Sequence, residues 1–176
     1  MKANSVIKKA KRLLIQSKID INSMNINKNC SIDLEKIAEH LGITILNATF
    51  PTDKISGVFF NKDGRLYIGV NKDHSKTRRR FTIAHELGHY MLHANEKLHL
   101  DDSSKFRETP DTFYRAEDIT NKNETQANHF AAELLMPEEL IEHCISDGII
   151  STVALAAKFN VSEQAMTYRL VYLGYL

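Results

Sequence analysis

The stretch that decides the fold is His85-Glu86-Leu87-Gly88-His89. On an α-helix, residues four apart lie about 40° apart around the axis, so the two imidazoles point the same way and can bind one metal ion. The Glu86 carboxylate then flanks that ion, where it can accept a proton from water. No proline interrupts residues 77–93, and apolar residues recur there at helical spacing. The pattern therefore predicts a metal-binding helix of the kind that zinc hydrolases use.

A second helical pattern supplies a candidate third ligand. A zinc hydrolase binds its ion with three protein ligands and leaves one position for water. The longer spacing His-x-x-Gly-x-x-His is absent, because Leu92 and Asn95 stand at its last two positions. Glu124 and Asn128 share one face of a downstream helical stretch, so Glu124 is the candidate ligand and Asn128 a candidate for orienting a ligand. A solvated acid in a first helical turn is the alternative for Glu124.

These blocks resemble the ImmA/IrrE family of metallopeptidases. The similar segments are 55–58, 67–71, 85–93, 124–137 and 155–170. The resemblance implies zinc held by His85, His89 and Glu124, with manganese as the alternative ion, and Glu86 as the general base. It also implies a zinc-dependent endopeptidase whose protein substrate is a helix-turn-helix transcriptional repressor, encoded nearby in a phage, mobile element or stress regulon.

Pattern and resemblance together predict an α+β fold of the zincin-like type. A small antiparallel or mixed sheet should pack on the metal-site helices, because apolar runs at 55–61 and 65–71 flank a Lys-Asp-Gly turn signal. We divide the chain into an N-terminal helix and loop (1–30), a metallopeptidase domain (31–146) and a helix-turn-helix-like segment (147–176).

One strand of this sheet is a candidate for binding the substrate. In zinc proteases of this plan, an edge strand beside the metal helix pairs with an extended peptide. The candidate substrate strand consists of Tyr67, Ile68, Gly69, Val70 and Asn71. An ordinary sheet strand is the alternative.

Three further side chains are candidates for the cleft. His93 follows His89 by one helical turn, and His129 follows Asn128, so each is a candidate for stabilising a developing oxyanion. Tyr114 lies in a polar stretch of low periodicity and is a candidate wall of the cleft, with a place over the core as the alternative.

The C-terminal segment has the pattern of two helices joined by a short turn, with Ser162 as the N-cap of the second. A helix that reads DNA presents basic and amide groups. The second helix offers only Glu163, Gln164, Thr167 and Arg169. We therefore expect a structural or protein-binding role, with DNA contact as the alternative.

Composition excludes several classes of protein. With 176 residues, 43% hydrophobic and 26% charged, and a net charge of +1, the chain is ordinary globular material without a global attraction to nucleic acid or membrane. No apolar run approaches the length that spans a bilayer. Cys30 and Cys144 are isolated and far apart, so they predict neither a metal site nor a disulfide framework. We expect a cytoplasmic protein without a membrane partner.

The competing hypothesis is a non-proteolytic regulator. Such a protein would contain zinc and bind a partner protein or DNA, for example as one component of a toxin–antitoxin pair. A purely structural zinc site normally has four protein ligands and needs no base. The carboxylate of Glu86 beside the two histidines therefore favours the enzyme.

Overall fold

The computed structural model of the chain describes residues 3–21, 24–25, 29–93 and 117–176, with side chains from residue 5 onward and, in the last range, from residue 122 onward. Its helices and strands are α1 Ala3–Gln16, α2 Leu34–His40, β1 Ile43–Ala48, β2 Gly57–Lys62, β3 Arg65–Asn71, α3 Lys76–His93, α4 Glu117–Leu135, α5 Glu138–Ser146, α6 Thr152–Phe159 and α7 Glu163–Leu173. The fold is thus a mixed α+β fold with a small sheet.

The sheet contains parallel and antiparallel pairs. Its order is β1-β3-β2, with β3 parallel to β1 and antiparallel to β2. The hairpin expected between β2 and β3 is confirmed, and its turn has two residues, Asp63 at φ 53° and Gly64 at φ 77°. Two successive positive φ angles are typical of a type I′ turn, whose twist matches that of the flanking strands.

The expected substrate strand occupies the wrong place for that role. Residues Tyr67–Asn71 belong to β3, which is the central strand and pairs with β1 on one side and β2 on the other. A central strand has no free edge with which to pair a peptide. The prediction that this segment is an edge strand is therefore wrong.

The helix α3 packs on β2 and β3 and also against α4. Gly88 makes the second contact close: a Cβ built there would lie 3.1 Å from both the Cα and the carbonyl oxygen of Ala127. Since real Cβ atoms rarely approach backbone that closely, any larger residue would push the two helices apart. A glycine on α3 and an alanine on α4 therefore set the distance between the two helices that carry the candidate ligands.

The terminal helices share the hydrophobic core of the rest of the chain. Its buried residues include Val6 and Leu13 of α1 and Phe159 and Leu170 of α6 and α7. The division into three segments stays a prediction. Among the described residues, no helix combines the length and apolarity needed to cross a bilayer.

The C-terminal helices begin at serine N-caps. Ser151 accepts a hydrogen bond from the Ala154 N–H, and Ser162 accepts one from the Ala165 N–H, as expected for the second. Arg169 does not face solvent: it is 4% exposed and pairs with Glu133 of α4. Because Arg169 is the only basic residue of α7, this burial removes the cation on which the DNA-contact alternative depended.

Candidate metal centre

Two helices bring three candidate ligands together. His85 and His89 lie one turn apart on α3, and their Nε2 atoms are 3.0 Å from each other. Glu124 of α4 places one carboxylate oxygen 3.1 Å from His85 Nε2 and the other 3.0 Å from His89 Nε2. Half of the Glu124 side chain is exposed, so the cluster opens to solvent on that side. Among the described residues, these three form the group of His, Cys, Asp or Glu side chains that could hold a metal ion.

The spacing of these atoms fits a tetrahedral ion. With ligand bonds of about 2.0–2.1 Å, two ligand atoms around zinc lie roughly 3.3 Å apart. The two Nε2 atoms lie 3.0 Å apart, and each lies 3.0 or 3.1 Å from a different oxygen of Glu124, so all three separations approach that value. Two imidazole nitrogens and a carboxylate oxygen are also donors that zinc accepts. By distance and by donor chemistry, the residues fit a divalent cation.

A hydrogen bond to Asn128 favours one tautomer of the His85 ring. The Asn128 Oδ1 lies 2.9 Å from His85 Nδ1. An amide oxygen only accepts hydrogen bonds, so Nδ1 must carry the proton and donate. In the neutral ring, Nε2 then has a free lone pair directed at Glu124, which is the form that binds metal. Asn128 thus contacts His85, and its role in orienting a ligand stays a prediction.

The charges in the cluster depend on each other. Burial opposes the charged form of His85, but the Glu124 carboxylate, together with Glu86 and Asn128, raises the His85 pKa above its ordinary value. Hydrogen bonds from His85 and His89 hold the pKa of Glu124 well below its usual range. The carboxylate therefore stays ionised, and protons on the imidazoles occupy the place that a cation would take.

Glu86 lies in a different environment from Glu124. Burial raises its pKa above the ordinary value, while the charges of His85 and His89 and a hydrogen bond from the backbone N–H of Phe59 oppose that rise. The Phe59 ring stacks on Tyr90 of α3, with ring centroids 5.3 Å apart. A carboxylate with a raised pKa is suited to accepting and returning a proton near neutral pH.

The contact with Phe59 identifies the sheet edge nearest the site. In the hairpin, the pairs Lys62–Arg65, Phe60–Tyr67 and Val58–Gly69 face each other across the ladder. The Asn71 N–H bonds the Ser56 carbonyl at 2.8 Å, which continues the same alternation. Gly57, Phe59 and Asn61 therefore direct their backbone groups away from β3. This edge could not be predicted from the sequence, since the hairpin pattern alone does not give the order of the strands.

The remaining cleft candidates are not brought into the cluster. His93 is 2% exposed and lies behind His89, with ring centroids 5.8 Å apart. The His129 ring lies against Tyr172 of α7, at 5.1 Å. A buried ring and a ring turned toward another helix are poorly placed to meet a peptide. Tyr114 lies outside the described residues.

Comparisons with known proteins match most of the chain. The family described as the IrrE N-terminal-like domain, a peptidase family, matches residues 38–171. Metallopeptidase ImmA of Bacillus subtilis (strain 168) is 31% identical over 112 residues, which are 62% of this chain and 56% of that protein. Uncharacterized immunity region protein 2 of Bacillus phage phi105 is 33% identical over 84 residues, 47% of this chain and 46% of that protein. The chain thus spans about half the length of these curated relatives.

Proposed function

This chain belongs to the ImmA/IrrE family of peptidases, and from that premise we propose that it is a zinc-dependent endopeptidase. The observation that carries the proposal is the convergence of His85, His89 and Glu124, whose ligand atoms lie about 3 Å apart, with Glu86 as a fourth group next to the histidines. A structural zinc site would be expected to contribute a fourth ligand from the protein instead of a base.

His85, His89 and Glu124 are the residues that would hold the ion. Zinc fits their two imidazoles and one carboxylate best, and manganese is the alternative. When bound, the ion would supply Lewis acidity toward water and toward the carbonyl of the scissile peptide bond. Asn128 would prepare His85 for metal binding, because its hydrogen bond with Nδ1 keeps the lone pair of Nε2 available for the ion.

Glu86 is proposed to move the proton. Its raised pKa suits a group that accepts a proton from the attacking water and then donates it to the leaving amine. The hydrogen bond from the Phe59 N–H holds the carboxylate at the edge of the sheet, on the same helix as both histidines. The side chain therefore needs no large movement between its two tasks.

We assign the substrate strand to β2 in place of β3. The backbone groups of Gly57 and Asn61 and the carbonyl of Phe59 point away from β3, so an extended peptide can pair with them while the Phe59 N–H stays with Glu86. Phe59 also touches Glu86 through its N–H, which puts this edge beside the proposed base. A peptide on β2 would thus run past Glu86.

The proposed substrate is a helix-turn-helix repressor encoded next to this protein. This class follows from the ImmA/IrrE resemblance, and Metallopeptidase ImmA is among the relatives by name. A peptidase for one regulator should be selective, so generic substrates such as casein are expected to be cleaved poorly. The sequence of the neighbouring gene supplies the protein to be tested.

The proposal is tested by replacing Glu86, the proposed general base. Glu86→Gln should lower cleavage of the neighbouring repressor by roughly 10²- to 10⁴-fold, since it keeps the shape of the side chain but removes its basicity. Cleavage is followed by mass spectrometry, and metal content is measured on the same samples. Glu39→Gln, an exposed change on α2, is the matched control and should leave both quantities unchanged.

Two outcomes would contradict the proposal. Undiminished turnover by a metal-loaded Glu86→Gln protein would remove the general-base mechanism. A wild-type protein that stays metal-free in the presence of excess zinc would favour the non-proteolytic regulator instead.

A further inference from the structure

The fold brings together two cysteines that are far apart in the sequence. Cys30 and Cys144 are separated by 114 positions, yet their Sγ atoms are 3.6 Å apart. Both are free thiols, and both are 0% exposed. Two isolated cysteines predict no disulfide framework, yet the fold brings these two together as a buried pair.

The pair joins two parts of the fold. Cys30 lies in the irregular segment before α2, and its N–H donates to the Lys158 carbonyl of α6 at 2.9 Å. Cys144 lies on α5, which follows the helix that carries Glu124. The chain between the two thiols includes the whole sheet and every residue of the candidate metal centre.

We propose that Cys30 and Cys144 form an intramolecular disulfide when the protein meets a small-molecule disulfide as oxidant, and that this cross-link stabilises the folded state. One cysteine thiolate attacks the small disulfide, whose S–S bond breaks to release one thiolate and leave a mixed disulfide on the protein. The second cysteine sulfur then attacks the protein sulfur of that mixed disulfide, and the second small thiolate leaves. The two protein thiols lose two electrons and two protons, and the small disulfide becomes two thiols.

Geometry favours the cross-link over other products. A disulfide bond is about 2.04 Å long, so the two sulfurs must approach by roughly 1.5 Å from their observed contact. Neither cysteine belongs to the candidate metal centre. A mixed disulfide with a bulky thiol has no room in a fully buried site, so the pair should close instead of stopping halfway.

The same burial makes the reaction slow. It raises the pKa of Cys30 to about 12 and also raises that of Cys144, so few thiolates are present at neutral pH. Cys30 belongs to a loop, whereas Cys144 belongs to a helix, so opening of the loop gives the oxidant its access. Once formed, the disulfide should also be reduced slowly, because a reductant needs the same opening of the loop.

The cross-link closes a ring of more than one hundred residues. Cross-linking so long a segment restricts the unfolded chain strongly. For a protein of this size, we expect the melting temperature to rise by about 10 °C. Folding and disulfide formation are thermodynamically linked. The factor by which the disulfide raises the folding equilibrium constant therefore equals the factor by which folding raises the equilibrium constant for disulfide formation.

The experiment measures that factor on the wild-type chain. The protein is equilibrated in buffers of graded reduced and oxidised glutathione, once native and once in urea, then quenched in acid and analysed by mass spectrometry. We expect the equilibrium constant for the intramolecular disulfide to be at least about 100-fold higher in the native protein than in urea. The oxidised native protein should melt at the higher temperature, and dithiothreitol should reverse the change.

Matched variants identify the pair. Cys30→Ala and Cys144→Ala should each lose both the two-hydrogen mass decrease and the gain in melting temperature on oxidation. An equilibrium constant that is equal or lower in the native protein, or an oxidised wild type that melts no higher than the reduced one, would overturn the proposal. If a variant does not fold, the two wild-type measurements still decide. None of these results depends on whether the chain is a peptidase.

Discussion

Two glutamates on the same helix behave differently in this protein. Glu124 and Glu133 both lie on α4, nine residues apart. Glu124 is half exposed and faces the imidazoles of His85 and His89. Glu133 is buried and faces the guanidinium of Arg169 at 2.5 Å. The partners of Glu124 are imidazoles, which can lose their positive charge, whereas the partner of Glu133 is a guanidinium, which cannot.

The chemistry of the partners explains why only one of these places is a candidate metal site. An imidazole gives up its proton near neutral pH, after which its lone pair and the carboxylate can share a cation. A guanidinium keeps its proton throughout the accessible pH range and has no lone pair to offer. Hydrogen bonds from the histidines lower the pKa of Glu124, whereas burial raises that of Glu133 in spite of Arg169. The side chain that each glutamate faces therefore determines whether that glutamate is a candidate metal ligand.

Removing Arg169 should have the largest effect on stability. In Arg169→Met, Glu133 stays buried without its cation, and the Met136 carbonyl loses the hydrogen bond from Arg169 Nε. We expect the free energy of unfolding to fall by about 3–5 kcal/mol, measured by urea denaturation. Arg12→Met, an exposed change on α1, is the control and should stay within about 0.5 kcal/mol of wild type. A loss below 1 kcal/mol in Arg169→Met would mean that Glu133 is not held by this pair.

Removing the Glu124 carboxylate should weaken metal binding more than it lowers stability. In Glu124→Gln the two histidines keep their places, but the third charged ligand is lost. We expect zinc affinity, measured by competition with a chromophoric chelator, to fall by more than about 100-fold, because loss of even a group behind a ligand costs 10- to 100-fold. The metal-free protein should lose at most about 1 kcal/mol of stability in urea denaturation, because Glu124 is half exposed and solvent screens its contacts with the histidines. Full zinc affinity in this variant would remove Glu124 from the ligand set.

Local geometry explains what could be predicted from the sequence. His85 and His89 share a helix face whatever the rest of the fold does, so their proximity follows from four-residue spacing. The turn at Asp63 and Gly64 is equally local, and the hairpin was predicted correctly. For Glu124 the helical pattern left a ligand and a solvated acid as alternatives, because nothing local places α4 beside α3. The family resemblance favoured the ligand.

Long-range packing explains what could not be predicted. Whether β2 or β3 lies next to β1 depends on the path of residues 49–56, and the sequence analysis therefore placed the free edge on the wrong strand. The contact between Cys30 and Cys144 crosses 114 positions and carries no spacing signal. The pairing of Glu133 with Arg169 is also non-local, so the sequence alone does not show that Arg169, one of the groups that the second helix offers, is occupied by a buried carboxylate.

Asn128 allows a smaller, graded test of the exposed cluster. In Asn128→Ala, His85 Nδ1 loses the acceptor that fixes its proton, so the ring can take the tautomer that turns an N–H toward Glu124. We expect zinc affinity to fall by about 10- to 100-fold, less than in Glu124→Gln. Asn128→Asp should retain most of the affinity, since a carboxylate also accepts from Nδ1. Equal losses in the alanine and aspartate variants would show that the acceptor at this position does not matter.

The smallest effect should come from replacing both partners of the buried pair. In the double variant Glu133→Leu with Arg169→Met, no charge is left uncompensated, so we expect stability at neutral pH within about 1 kcal/mol of wild type, in contrast to Arg169→Met alone.

The stability that Glu133 contributes should depend on pH in the opposite direction from that of a carboxylate in an ordinary surface ion pair. Because burial raises the folded-state pKa of Glu133 above its ordinary value of 4.5, the folded wild type binds that proton more tightly than the unfolded chain does. Wild-type stability relative to the double variant should therefore be greatest below pH 4.5 and decline as pH rises through the folded-state pKa, as urea titrations across that range would measure. A relative stability that rises with pH would instead mean that Arg169 outweighs burial, and that the two glutamates of α4 differ less than their surroundings suggest.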